Sequence, residues 1–102
     1  MAGIKIRAKT NDGVTEVKAL ISHPMETGAR KDSDGNDIPE HFIQEVVVKH
    51  GDTTVMMAEW GPAVSKNPYL SFKFKGASKG DTLNLSWLDN KGESESLDAE
   101  IK

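Results

Sequence analysis

The 102-residue chain contains no cysteine. This absence excludes disulfides, thiolate metal sites and cysteine nucleophiles. Long apolar runs are missing too: the first residues, MAGIKIRAK, alternate charge with short aliphatic side chains, and no later run approaches the length of a membrane span. The sequence therefore predicts neither a signal peptide of its own nor a membrane segment, as in a cytoplasmic or already processed chain.

Positive charge is not in excess either. Thirteen Lys and Arg residues stand against sixteen Asp and Glu residues, which gives a net charge of -3. Because nucleic acids are bound mainly through an excess of cationic side chains, we expect no nucleic-acid partner. The length fits one domain over residues 1–102, with a modest core and no room for an active site between two lobes.

What the sequence has is alternation of apolar and polar residues with a period of two, which is typical of half-buried strands. Turn-forming residues such as Asn11-Asp12-Gly13 and Lys79-Gly80-Asp81 separate the alternating segments. The pattern predicts an all-β fold, an antiparallel immunoglobulin-like β-sandwich of about seven strands. The clearest alternating segments are centred on Ile6, Ala19, Phe72, Leu85 and Ala99.

Two segments, Phe42–Lys49 and Thr53–Trp60, carry apolar residues on both faces. A sandwich strand buries one face, and each Å² of apolar surface removed from water is worth roughly 25 cal/mol, so the second face needs a cover. A protein partner is the favoured cover; the alternative is that the sheet or a loop of this chain packs there. The predicted partner-binding residues on these strands are Ile43, Val47, Val55 and Met57.

The polar stretch ISHPMETGARKDSDGNDIPEHFI, residues 21–43, invites comparison with a calcium loop because Asp32, Asp34 and Asp37 surround Gly35. The register does not fit, since Gly35 falls at the fourth place of that motif and the closing acid would fall at Ile43. Calcium is therefore not expected.

Copper is the other metal that the residue types allow, through the imidazoles of His23, His41 and His50 and the thioether of Met25. No two histidines have a spacing that fixes a site, so we expect no metal and no cofactor. For hydrolysis, Ser22 or Ser65 would need a neighbouring base and an oxyanion donor, and the sequence marks neither. No catalytic residues are predicted, and an enzyme is disfavoured.

The same stretch has the composition of a recognition loop. Proline at positions 24 and 39 stiffens its ends, while Arg30, Lys31 and Asp32 present mixed charge that can bind a partner. A plain solvated loop is the alternative. The aromatic residues Trp60 and Tyr69 serve as core residues or as partner contacts, and the core is favoured.

Two segments carry a family resemblance: VKALISHPMETGARKDSDGNDIPEHFI, residues 17–43, and GPAVSKNPYLSF, residues 61–72. With them the chain resembles, over its full length, the Z subunit of the sulfur-carrier protein of the bacterial sulfur-oxidising (Sox) system. The resemblance implies a small, non-catalytic immunoglobulin-like subunit in a tight heterodimer with a Y subunit. In that pair the Y subunit carries the covalently bound sulfur on a cysteine near the end of a mobile C-terminal arm.

The resemblance also implies a periplasmic location, reached by co-export with the signal-bearing Y subunit, and transient contacts with other Sox enzymes. On this reading the loop from His23 to His41 and the turn from Pro62 to Tyr69 face those enzymes. The further predicted partner-binding residues are Met25, Arg30, Asp32, Asn67 and Tyr69. The alternatives are a small periplasmic copper-binding or redox protein and a free-standing adhesion-type sandwich.

Overall fold

The computed structural model describes residues 3–102; Met1 and Ala2, which begin the N-terminal stretch, lie outside the described residues. Its strands pair in antiparallel fashion, which confirms the predicted all-β sandwich. No helix in residues 3–102 has the length and hydropathy needed to cross a membrane. The strands are β1 (Ile4–Asn11), β2 (Val14–Ile21), β3 (Ile43–His50), β4 (Thr53–Glu59), β5 (Tyr69–Lys75), β6 (Thr82–Asp89) and β7 (Ser94–Glu100).

The strands form a three-stranded sheet with the order β1-β2-β5, the small sheet, and a four-stranded sheet with the order β4-β3-β6-β7, the large sheet. In a constant-type immunoglobulin domain the fourth strand belongs to the sheet of the first two. Here β4 pairs with β3 instead, which gives the large sheet its fourth strand. β1 and β2 are joined by a two-residue turn in which Asp12 and Gly13 both have positive φ, as a type I′ hairpin requires.

The core lies between the two sheets and is built from the inward positions that the alternation predicts. Val17, Ala19 and Ile21 of β2 face Leu83 and Leu85 of β6, and all are almost completely buried. Phe72 and Phe74 of β5 pack against this core from the small sheet, with their ring centroids 6.2 Å apart. The apolar period of two therefore positions both sheets.

The two segments with apolar residues on both faces contain irregularities of the sheet. Between Ile43 and Glu45 the pairing of β3 with β6 shifts by one residue, and between Val48 and Lys49 the pairing of β3 with β4 shifts in the same way. A β-bulge inserts an extra residue and so reverses the alternation beyond it. Ile43 is turned into the core, where it is fully buried, and Val55 packs against the core. The assignment of Ile43 to a partner-facing surface is thereby corrected, whereas Val55 is only partly buried and its role in partner binding stays a prediction.

Trp60 and Tyr69, predicted as core residues or as partner contacts, differ in their burial. Trp60 is half-buried and packs against the core, as favoured from the sequence. Tyr69 is 61% exposed, so the core position favoured for it is wrong. Tyr69 begins β5 on the outer face of the small sheet, opposite Leu20.

Candidate functional site

One end of the sandwich carries the long polar loop, residues 22–42, together with the loop of residues 61–68. The two loops are joined at His23 and Asn67, because the His23 backbone N–H donates to the Asn67 side-chain oxygen at 3.1 Å and the Asn67 backbone N–H donates to the His23 carbonyl at 3.0 Å. Glu26 and His41 form a backbone bridge within the long loop. The two segments that carry the family resemblance are therefore one continuous structural unit.

The polar centre of this unit is a cluster formed by His23, His41 and Asp89. Oδ2 of Asp89 lies 3.0 Å from Nε2 of His23 and 2.8 Å from Nε2 of His41. The two imidazole rings meet edge to face with their centroids 4.5 Å apart, and the edge of Trp87 covers His23. His23 and Asp89 are almost fully buried, so the histidines are not isolated surface residues as the sequence reading assumed.

The tautomer of His23 follows from its second nitrogen. Nδ1 accepts a hydrogen bond at 3.2 Å from the backbone N–H of Met25, so a neutral ring carries its proton on Nε2 and donates it to Asp89. Met25 has a left-handed backbone with φ of 50°, which is unfavourable for a side chain of its size. Its sulfur accepts a hydrogen bond from the backbone N–H of Ile43, so Met25 is buried within this network. The prediction that Met25 contacts a partner is therefore wrong.

Asp89 is held as an anion by its hydrogen-bond donors. Oδ1 accepts from the backbone N–H groups of Lys91 and Glu93, while Oδ2 faces the two histidines. Burial by itself raises the pKa of this carboxyl, but the donors from His23, Glu93, His41 and Lys91 outweigh it, so the pKa of Asp89 lies below its ordinary value. The cluster thus resembles the polar core of a folded loop, in which two histidines and two backbone N–H groups surround the Asp89 carboxylate.

Among His, Cys, Asp and Glu in residues 3–102, the same three side chains are the one group of three or more whose ligand atoms lie close enough together to hold a metal ion, within 4.8 Å of one another. The residue types suit a transition metal, but the protonation does not. Coordination through Nε2 of His23 requires a lone pair there, and in the neutral ring the hydrogen bond from Met25 already uses the lone pair, at Nδ1. The geometry favours hydrogen bonding over metal binding. His50 is remote from this group and pairs with Asp81 at 2.7 Å.

The outer part of the long loop is exposed and internally paired. Arg30 donates from Nε and a terminal nitrogen to both carboxylate oxygens of Glu26, at 3.0 and 2.7 Å. This hydrogen bond lowers the pKa of Glu26. Oδ1 of Asp32 accepts from the N–H groups of Asp34 and Asn36 at 2.9 Å, so the first acid of the rejected calcium motif organises a turn. Arg30 and Asp32, like Asn67 and Tyr69, are accessible to a partner, and their predicted role in partner binding stays a prediction.

A second candidate surface lies on the outer face of the large sheet. Met57 is 56% exposed and pairs with the half-buried Val47, while Leu88, 43% exposed, lies diagonally beside Val47. We call Val47, Met57 and Leu88 the apolar strip. Ser86 and Ser96 continue the row of Met57 and Val47 across β6 and β7, and their small side chains leave a shallow hollow beside the apolar strip. Its flanks carry Glu45 and Glu59, which face each other across β3 and β4.

Sequence reasoning missed Asp89 and Leu88, although the signal was present. Leu83, Leu85 and Trp87 alternate inward, and the same period places residue 89 inward and residue 88 outward. A charged residue at a predicted core position is a marker for a paired polar cluster. Extending the β6 pattern by two residues would have identified both.

Comparison with known proteins yields a family and a fold. A family model described as SoxZ, sulphur oxidation protein SoxZ, matches residues 4–100. A search of curated proteins returned no match. Among solved structures, the chain is similar to a reduced variant of superoxide reductase (neelaredoxin) from Archaeoglobus fulgidus, with a TM-score of 0.64, 21% identity and coverage of 100% of this chain and 87% of that one. At this identity the similarity concerns the fold alone.

Proposed function

The chain belongs to the SoxZ family of sulphur oxidation proteins, and from this premise we propose that it is the non-catalytic subunit of a heterodimeric sulfur carrier in thiosulfate oxidation. Its role is to bind and support a Y subunit whose C-terminal cysteine arm carries the sulfur, and to help present that arm to the Sox enzymes. The family match over residues 4–100 is the observation that carries the proposal. The lack of cysteine in this chain agrees with a partner that holds the sulfur.

The apolar strip is the surface that we assign to the Y subunit. Apolar side chains at the centre of an exposed sheet lose contact with water when a partner covers them, and the serine-lined hollow beside them accepts a larger side chain of the partner. Glu45 and Glu59 lie directly opposite each other, an unfavourable arrangement for two anions in an isolated sheet. Cationic side chains on the Y subunit would relieve it.

Coexpression with the Y subunit of the same host tests the proposal. We expect one complex with equal amounts of both chains that persists through a sizing column, because the apolar strip and its acidic flanks are covered only in the pair. Two separate peaks at micromolar concentration would contradict it. The chain alone should show no turnover of thiosulfate, whereas the pair should accept sulfur on the Y subunit when the other Sox enzymes are present to remove the two electrons that the new S–S bond releases.

The cellular compartment of the chain can be tested in the same cultures. We propose that the chain is periplasmic and is exported together with the signal-bearing Y subunit. Cell fractionation should then find it in the periplasm only when the Y subunit carries its intact signal. Recovery from the periplasm without the Y subunit would refute co-export while leaving the pairing proposal intact.

A small metal-binding protein is the second candidate, because of the cluster of His23, His41 and Asp89. Since the hydrogen bond from Met25 opposes coordination by His23, we expect less than one tenth of an equivalent of copper or zinc after purification without chelator. Metal analysis of the purified chain measures this directly. One full equivalent of either metal, lost in a His23→Gln variant, would favour the metal-binding function.

A further inference from the structure

The outer face of the small sheet gathers positive charge from three strands. We call this surface the basic face; its cations are Lys5, Arg7, Lys9, Lys18, Lys73 and Lys75. Glu16 is the one acid among the outward residues of these strands, so the face carries a net charge of +5. The whole chain carries -3, so the remainder of the molecule carries -8.

The pairing register shows that this charge is not neutralised within the sheet. Arg7 lies directly opposite Lys18, a like-charge pair that costs stability. Glu16 lies between Lys9 and Lys73, and its one ion pair is a loose contact of 3.8 Å with Lys18. Within the small sheet one carboxylate thus serves at least three neighbouring cations, and the nearest further acids, Asp98 and Glu100 of β7, line a groove along the β1 edge. The sheet tolerates repulsion that a single acidic substitution would relieve.

One end of the basic face is apolar. Lys5, Leu20 and Tyr69 form a row across the three strands, with Leu20 38% and Tyr69 61% exposed. Rows of outward residues are spaced by two residues along each strand, so the face measures roughly 20 Å by 10 Å. Tyrosine and arginine are residue types enriched at protein interfaces, and Leu20 adds exposed apolar surface beside Tyr69.

We propose that the basic face docks an acidic surface of a partner protein, with an apolar side chain of that partner seated on Leu20 and Tyr69. Charge complementarity identifies the partner as acidic. At physiological salt, charges are screened beyond about 8 Å, so the face acts on a partner through its own +5 rather than through the net charge of the chain. A long polyanion such as nucleic acid would extend past the face and meet the negative remainder of the molecule.

The basic face is separate from the apolar strip, since the two lie on the outer faces of opposite sheets. Substitutions in the apolar strip therefore leave the basic face unchanged, and the two surfaces can be tested separately. Because both faces are accessible at once, the acidic protein can bind while the apolar strip is covered. The full chain and its pair with the Y subunit are equally suitable for the test.

Charge reversal with a matched control tests the proposal, using as the probe hexa-L-glutamate, whose extended length of roughly 20 Å matches the face. Arg7→Glu with Lys18→Glu reverses the centre of the basic face, whereas Lys79→Glu with Lys91→Glu makes the same change in net charge on exposed loop positions outside it. At physiological salt we expect the first variant to bind at least tenfold more weakly than the parent and the second to stay within twofold. Equal losses in both variants, or a parent that does not bind, would overturn the proposal.

The apolar row and the class of partner are tested in the same assay. A hexapeptide of five glutamates and one tyrosine should bind at least threefold more tightly than hexa-L-glutamate, and Tyr69→Ala should remove that advantage. Tighter binding of single-stranded DNA or of phosphatidylglycerol vesicles than of both hexapeptides would overturn the choice of a protein partner. So would self-association of the parent that charge reversal abolishes, because it would identify a second copy as the occupant. If the first variant fails to fold, Lys73→Glu with Lys75→Glu replaces it.

Discussion

Replacing Asp89 by asparagine is expected to lower the free energy of unfolding by about 3 kcal/mol, because hydrogen bonds to a charged acceptor are worth roughly 1.5–3 kcal/mol each. Asparagine has the same size but one oxygen. If that oxygen accepts from the N–H groups of Lys91 and Glu93, the amide nitrogen meets Nε2 of His23 and of His41, which are donors. His23 then loses its acceptor in a buried site, whereas Nε2 of His41 still lies 2.8 Å from a carboxylate oxygen of Glu93. Urea unfolding at neutral pH measures the loss.

Asp81 provides the matched control. It also accepts from a histidine, His50, at 2.7 Å, but its side chain is 39% exposed, whereas that of Asp89 is completely buried. Asp81→Asn should cost only a small fraction of the loss at Asp89, because water replaces the missing acceptor. Equal losses in the two variants would show that burial of the cluster is not what makes Asp89 important.

The same substitution has a defined pH dependence. Since the pKa of Asp89 in the folded chain is depressed below its ordinary value of 3.8, its contribution is present above that value and is lost as the pH falls through the folded pKa. The stabilities of the parent and Asp89→Asn should therefore begin to converge below about pH 4, and the convergence is complete only below the folded pKa. A difference that stays constant down to the acid-unfolded region would contradict an ionised Asp89.

The strands could be predicted from sequence because each core position sits in a simple alternation. β1, β2, β5, β6 and β7 keep a strict period of two between buried and exposed residues. Where the alternation fails, at the two bulges, the sequence reading mistook a shift of face for a surplus of apolar surface. A bulge depends on the register of the neighbouring strand, which the sequence of one strand does not contain.

The candidate surfaces were predicted less well, for a related reason. Net charge indicated a mildly acidic molecule, but the fold sorts the cations onto the outer face of the small sheet. Likewise, His23 and Asp89 are 66 residues apart in the sequence, and only the packing of the long loop against the end of β6 brings them together. The alternation predicts which residues share a face of one strand. Which of these faces lie side by side and form one surface depends on the pairing of the strands, which the alternation does not contain.

Val47 and Met57 remain on the outer face of the large sheet after the bulges are taken into account, and with Leu88 they form the apolar strip. A charge placed on this strip should have a large effect on binding of the Y subunit. Met57→Asp should raise the dissociation constant of the pair with the Y subunit by roughly 30-fold or more, because interface hot spots contribute about 2 kcal/mol or more. The new carboxylate would lose its hydration in the interface and lie near Glu45 and Glu59, which adds repulsion. Val47→Asp should act in the same direction.

Leu20→Asp is the control for both variants, since it places the same charge at an exposed apolar position on the opposite sheet. Titration of labelled Y subunit with each variant gives the dissociation constants, and circular dichroism verifies that the chains are folded. If Leu20→Asp weakens the pair while Met57→Asp leaves it unchanged, the Y subunit binds the small sheet and the assignment to the apolar strip is wrong. We expect the reverse, because the apolar strip joins three neighbouring side chains beside a hollow that a partner can fill, whereas Leu20 and Tyr69 lie at the edge of a field of cations.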